Sequence, residues 1–240
     1  ACAEHEFTIA QKDSPGANPF DCAHALEDVS ALAGEVDFVV VLYHGMKEFY
    51  RYPSPETRRR CRALIDAGAS FVACQHSHCI GCEESYSEGR VLYGQGDFCF
   101  AKGDSDPMRK DGLVILIDLD NFEIEYVPII NDGKRVLLAE GEAGNTILDA
   151  FRFRSKEIRR QGFVEGSWER FSLGIFDDYA KQILLAMEPR WIGFVARILG
   201  KIGFPVRFRS GTDVAFLLNM VQCEAHNEVA RTALIKKLNG

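Results

Sequence analysis

VDFVVVLYHG, residues 36–45, and SFVACQHSH, residues 70–78, decide the fold of this chain. Each is an apolar run that closes on histidine. Residues 36–42 read as a strand buried on both faces, because a continuous β-branched run lacks the alternation of a half-wet strand. Residues 70–75 read as a second buried strand. Between them Ser54 is an N-cap, Pro55 takes the first helical position and Glu56 the first turn. Cys61, Leu64 and Ile65 form the apolar stripe of that helix, and Gly68 stops it. Ahead of the first strand, residues 22–33 read as a helix capped by Asp21 and ended by Gly34. This helix–strand–helix–strand order predicts parallel strands, right-handed crossovers and helices on the sheet faces.

Further along, residues 91–94, 112–119 and 122–129 read as short strands, with Asp120-Asn121 as a turn. Phe122, Ile124, Tyr126 and Pro128 alternate with Glu123, Glu125 and Val127, which predicts one wet face. Residues 134–138 are a further strand candidate. An α/β domain is expected over residues 1–145 and a mostly helical region over 146–240. Helices are predicted at 146–160, at 167–187 (one or two) and at 213–238, the last starting at Asp213.

The 240 residues suffice for one large domain or one domain with an appendage, and 47% apolar content provides a core. Twenty-eight basic against 35 acidic residues give −7, which argues against a nucleic-acid partner. Cys2, Cys61, Cys74 and Cys99, among eight cysteines, lie in apolar stretches and behave there as small hydrophobes, so the chain is read as reduced. Cys79-Ile80-Gly81-Cys82 has no second C-x-x-C and no thioredoxin-like context. Core packing is its favoured reading, with a metal-bound thiolate or a redox pair as rivals. No run approaches the ~20 apolar residues of a membrane helix. The chain begins at Ala1, at what reads as a strand end, so an upstream segment is expected to be missing. Compartment therefore stays open between cytoplasmic and membrane-associated.

His44 follows the first strand, and His76 and His78 follow the second. Parallel neighbours would deliver all three to the C-terminal sheet edge, where open α/β sheets build their sites. A lone histidine there would read as a polar loop residue. Three of the six histidines at two adjacent strand ends favour a metal site, since neutral imidazole binds zinc, iron or manganese.

The stretch DFVVVLYHGMKEFYRYPSPETRRRCRALIDAGASFVACQHSHCIGCEESYSEGRVLYGQGDFCF, residues 37–100, carries a longer pattern. A strand leads to His44-Gly45 with Glu48 following, then to a Pro-led helix ending in Asp-x-Gly-Ala. A strand, His-x-His and a Tyr-Gly-x-Gly-Asp-Phe stretch complete it. This order resembles the capsule synthesis protein CapA family, within the calcineurin-like metallophosphoesterase superfamily. The start, AEHEFTIA followed by GANPFD, is similar to a soluble branch of that family.

The resemblance implies the C-terminal portion of a metallophosphoesterase-like α/β fold (a four-layer α/β/β/α sandwich) with a helical extension. It implies that His44 is the isolated histidine ligand and that His76 and His78 are the closing His-x-His pair. In such enzymes two divalent ions (manganese, iron or zinc) lie roughly 3.5–4 Å apart. The superfamily's Asp-x-His, Gly-Asp and Asn-His motifs do not precede His44, so this chain is expected to carry one side of the site and, alone, to bind metal weakly and be inactive. Asp97 stands where the family prefers asparagine. It reads equally as an extra ligand or acceptor for a histidine N–H and as a turn residue. Glu48 matches the family's glutamate and is expected to orient His44. Glu48 and His5 are candidate catalytic residues, and Glu4 and His5 candidate substrate contacts, against the plainer reading of a charged loop entering solvent.

Trp191, Ile192, Phe194, Val195, Ile198, Leu199, Ile202 and Phe204 make an apolar segment with Arg197 and Lys201. A core or oligomer face is favoured for 191–204, and a membrane-surface contact is the minority reading. His226 reads as structural. Two functions follow from the resemblance. One is a metal-dependent hydrolase of poly-γ-glutamate capsule biosynthesis, acting on a phosphoester or a γ-glutamyl amide of a polyanionic polymer alongside capsule synthase components. The other is a non-catalytic scaffold or polymer-binding component that keeps the fold.

Overall fold

Asp21 and Ser54 open two helices as their sequence predicts. The Asp21 side chain accepts from the His24 N–H at 3.1 Å, and the Ser54 hydroxyl accepts from the Thr57 N–H at 3.0 Å. These helices are α1 (Cys22–Ala33) and α2 (Pro55–Asp66). The computed structural model describes residues 1–5, 9–99, 107–132, 134–186 and 211–239.

The remaining strands are β1 (Cys2–Ala3), β2 (Val40–His44), β3 (Phe71–Gln75), β4 (Ile80–Tyr86), β5 (Gly89–Gln95), β6 (Asp111–Ile117), β7 (Ile124–Asn131) and β8 (Val136–Leu138). One sheet has the order β1-β2-β3-β5-β4 and the other β6-β7-β8. β2 and β3 run parallel, as expected; β1 and β5 extend the parallel set, while β4 returns antiparallel beside β5. The second sheet is antiparallel throughout. The class is mixed α/β, as the sequence implies.

Two apolar layers hold these elements. α1 and α2 cover one face of the first sheet, where Val29, Cys61, Leu64 and Ile65 meet Val41, Val72, Val91 and Tyr93. On the other face Phe71, Ala73, Ile80 and Leu92 pack with Leu113 of the second sheet and with Ile147 and Phe151 of α3 (Gly141–Glu157). Each such buried aliphatic side chain contributes about 1.5–3 kcal/mol. The alternation in β7 also appears: Glu123 and Glu125 are exposed, while Phe122, Ile124 and Tyr126 pack against this second layer.

Several expectations need correction. β2 is not buried on both faces: Val41 and Tyr43 are buried, but Val40 and Leu42 are 42% and 50% exposed. β3 does have its first four residues buried. β4 was not foreseen, because Glu83, Glu84 and Ser85 interrupt its apolar pattern. The helix expected at 146–160 begins at Gly141.

Packing also does not divide at residue 145. The first compact unit comprises Ala1–Glu4 and Ile9–Trp168, and α3 together with Val164 of α4 (Phe163–Ala186) belongs to its core. The second unit comprises His5–Thr8 and Glu169–Gly240. In it the helix expected at 213–238 is two, α5 (Gly211–Gln222) and α6 (Glu224–Asn239). Tyr179 and His226 hydrogen-bond at 2.7 Å there, the structural role expected of His226. Residues 191–204 lie outside the described residues. Among the described residues no helix is long and apolar enough to cross a membrane.

Candidate metal centre

The last residue of β2 is His44, paired in register with Gln75 at the end of β3. That register sets the origin of both histidine loops at one sheet edge. His76 and His78 then both adopt left-handed backbone, at φ 86° and 53°, on either side of the buried Ser77. Such conformations cost about 1–3 kcal/mol each in a non-glycine residue and persist only where surroundings impose them. The Ser77 hydroxyl donates to the Cys79 carbonyl at 3.1 Å, and the Phe49 N–H donates to the Ser77 carbonyl at 2.8 Å. The loop after β2 and the loop after β3 are thereby tied together.

His76 neighbours both of the other imidazoles at this edge. His76 Nδ1 lies 3.0 Å from His44 Nε2, and the rings of His76 and His78 are 5.9 Å apart. His78 Nδ1 donates to Asp97 Oδ1 at 2.7 Å, which leaves Nε2 as the ring nitrogen with a lone pair to offer. Burial first, and His78 second, push His44 below its ordinary pKa and favour the neutral, ligating form of the ring.

Glu4 follows β1 directly. Its N–H donates to the His44 carbonyl at 2.9 Å, and its buried carboxylate approaches His76 Nε2 to 3.7 Å. Glu48 lies 3.9 Å from His78 Nε2 and 4.0 Å from Lys47 Nζ. It therefore neighbours His78 and not His44, a correction to the expected orienting role. His5 belongs to the second unit, where its Nδ1 lies 2.7 Å from Glu224 Oε1. Cys79 and Cys82 are buried free thiols, and burial raises both pKa values, as core packing requires.

As a donor set, three imidazoles with Glu4, Glu48 and Asp97 suit a borderline divalent ion. The buried Asp97 Oδ2 has no hydrogen-bond partner among the described residues, a cost that a nearby cation would offset. Among the described residues, however, no three histidine, cysteine, aspartate or glutamate side chains close on one point as a metal cage. The donors pair off as His44 with His76 and His78 with Asp97. Sequence reasoning missed the ring of Phe49, stacked 6.2 Å from His78, and Arg109, whose guanidinium carbon is 5.0 Å over that ring. Nothing in their spacing marks them, because Arg109 arrives from the 3-10 turn that precedes β6.

Residues 2–102 match the family of bacterial capsule synthesis proteins, PGA_cap. This segment is the part of the chain that resembles that family. The capsule synthesis segment is 31% identical over 99 residues to the capsule biosynthesis protein CapA of Bacillus anthracis, covering 40% of this chain and 24% of the relative. It is 32% identical over 94 residues to the PGA biosynthesis protein CapA of Bacillus subtilis, covering 39% and 25%. The chain thus spans about a quarter of the length of the curated relatives it matches. All three histidines, Glu4, Glu48 and Asp97 lie inside the capsule synthesis segment, and the helices from α3 onward lie outside it.

Proposed function

We propose that this chain contributes one side of a divalent-metal hydrolytic centre to a capsule biosynthesis protein, with a phosphoester or an amide of an anionic polymer as substrate. The observation that carries the proposal is the side-by-side placement of His44, His76 and His78 at the C-terminal edge of β2 and β3. His44, His76 and His78 would hold the ion, with Glu4 beside them. Such an ion supplies Lewis acidity toward a phosphoryl or carbonyl oxygen. Asp97 fixes the tautomer and direction of His78. The cross-tied loops limit how far the imidazoles move, and binding would require the His44–His76 contact to open.

Equilibrium dialysis of the 240-residue chain against zinc or manganese tests this. Wild type is expected to bind, and His44→Ala and His76→Ala to bind at least about 10-fold more weakly, the loss of one good ligand. Equal binding by the variants would refute the ligand roles.

The pairing of donors among themselves supports a second reading, a non-catalytic scaffold of capsule assembly. Under that reading dialysis finds no metal at millimolar concentrations, while the histidine variants lose thermal stability through the broken His44–His76 contact.

A further inference from the structure

We propose that Cys61 and Cys74 are a disulfide site that staples α2 to β3, closed when the chain folds in the presence of a small disulfide such as oxidised glutathione. The two thiols come from different elements, and their Sγ atoms lie 3.5 Å apart in the core. Chain geometry sets this meeting. α2 ends at Asp66 and β3 starts at Phe71, so a short connection folds the helix back over its own strand. Cys61 lies about 7.5 Å before the helix end, and Cys74 about 10 Å into the strand. The two positions therefore stand at similar heights above the connection, and both side chains enter the layer between helix and sheet.

A buried free cysteine ordinarily serves as a small hydrophobe, and a hydrogen bond between two thiols is compatible with that role. The 3.5 Å separation goes further, because the ~2.05 Å of a disulfide asks the two sulfurs to approach by only about 1.5 Å. The pair adjacent in sequence, Cys79 and Cys82, is placed differently. Extended chain through the start of β4 holds their Cα atoms about 10 Å apart, beyond the roughly 7 Å that a disulfide spans. Cys2 is the nearer rival, since it packs half-buried against the same core. Cys61 and Cys74 are fully buried, so a small disulfide meets them before the core has closed. One of the two, as thiolate, attacks a sulfur of the small disulfide, whose S–S bond breaks and releases one small thiol. The other cysteine then attacks the mixed disulfide; the Sγ–Sγ bond forms and a second small thiol leaves. The two cysteines lose two electrons and two protons, and the two small thiols carry them away. The bond joins residues 13 apart in sequence and so restricts the unfolded chain. It also ties α2 to the strand that leads into His76.

Refolding the 240-residue chain from urea in a glutathione redox buffer, beside a sample kept in reductant, tests this. Peptide mapping by mass spectrometry is expected to find Cys61 joined to Cys74 as the main intramolecular disulfide. The oxidised chain is expected to unfold at a urea concentration higher by about 1 M than the reduced chain. In Cys61→Ala and Cys74→Ala the oxidised and reduced samples are expected to unfold together. Should either variant fail to fold, the wild-type map still decides the pairing. Thiols all free after refolding, or a map dominated by Cys79–Cys82 or by a pair that includes Cys2, overturns the proposal. A Cys61–Cys74 bond that leaves the urea midpoint unchanged overturns the staple. A shift that persists in both alanine variants overturns it as well, because another bond would then produce it.

Discussion

Gly96 and Gly112 face each other across a single antiparallel bridge that joins the end of β5 to the start of β6. A Cβ on Gly112 would sit 2.6 Å from the Asp97 carbonyl oxygen, and a Cβ on Gly96 would sit 2.4 Å from the Asp111 carbonyl oxygen. Both obstacles are backbone, so neither can swing aside. The close approach is what brings the second sheet against the residue that holds His78.

Gly112→Ala is therefore expected to destabilise the chain by about 1–3 kcal/mol, the usual cost of overpacking, and to displace Asp97 from His78. Gly174 provides the contrast. It lies in α4 with nothing within 4 Å of its would-be Cβ, so Gly174→Ala should stabilise by about 0.5–1 kcal/mol through helix propensity. Urea unfolding of the two variants checks the pair. A Gly112→Ala variant as stable as wild type would show that the bridge is looser than described.

The two faces of β2 give a second test. Val41 is buried and its neighbour Leu42 is half exposed, so adjacent positions on one strand should respond differently. Val41→Ala is expected to cost about 2 kcal/mol, from two lost methyl groups and a residual cavity. Leu42→Ser should cost less than about 1 kcal/mol. Equal costs in the 240-residue chain would mean that something covers Leu42 in solution, and a dependence on protein concentration would identify that cover as a second copy.

Local signals explain what could be read from the sequence. Asp21, Ser54 and Pro55 act within a few residues of themselves, so both helices were legible. The two strand-end histidine groups were legible because parallel order follows from the helix between them. β2 was misread because periodicity reports what a strand could bury, not what its neighbours cover, and β6–β8 leave Val40 and Leu42 exposed. β4 was missed because its buried Glu84 breaks the apolar pattern, and the partners that neutralise it, Arg58, Arg62 and Tyr93, come from α2 and β5. Arg109 was invisible for the same reason. The His78–Asp97 contact lay within reach only as one of several alternatives, since the resemblance marked the position and not the partner.

Glu84 makes the chain acid-sensitive. Burial alone would raise its pKa, but hydrogen bonds from Arg58, Arg62 and Tyr93 outweigh burial and hold it below the ordinary 4.5. A carboxylate with a depressed folded-state pKa stabilises the fold above its unfolded pKa, and that contribution fades as pH falls through the folded value. Unfolding free energy should therefore decline below about pH 4.5 more steeply in wild type than in Glu84→Gln. At pH 7 the variant should be about 3 kcal/mol less stable, because Arg58, bonded to Glu84 at 2.6 Å, loses its buried counter-charge. Parallel pH profiles for the two proteins would show that another group controls acid unfolding.

Asp97 decides whether its charge or its acceptor oxygen serves the histidine site. Its Oδ1 takes the His78 Nδ1 proton at 2.7 Å, a contact that an asparagine carbonyl can reproduce without the negative charge. The orienting role thus predicts a graded outcome. Asp97→Ala removes the acceptor, frees the His78 ring to rotate, and should weaken zinc binding about 10–100-fold, the usual effect of losing a partner behind a ligating imidazole. Asp97→Asn keeps the acceptor and should stay within about 3-fold of wild type, the distance between a full loss and none on that scale. If instead the carboxylate itself contacts the ion, both variants lose affinity alike, because an amide oxygen is the poorer ligand for a divalent transition metal. Competition with a zinc chelator separates the two outcomes, since it reads affinity without requiring turnover.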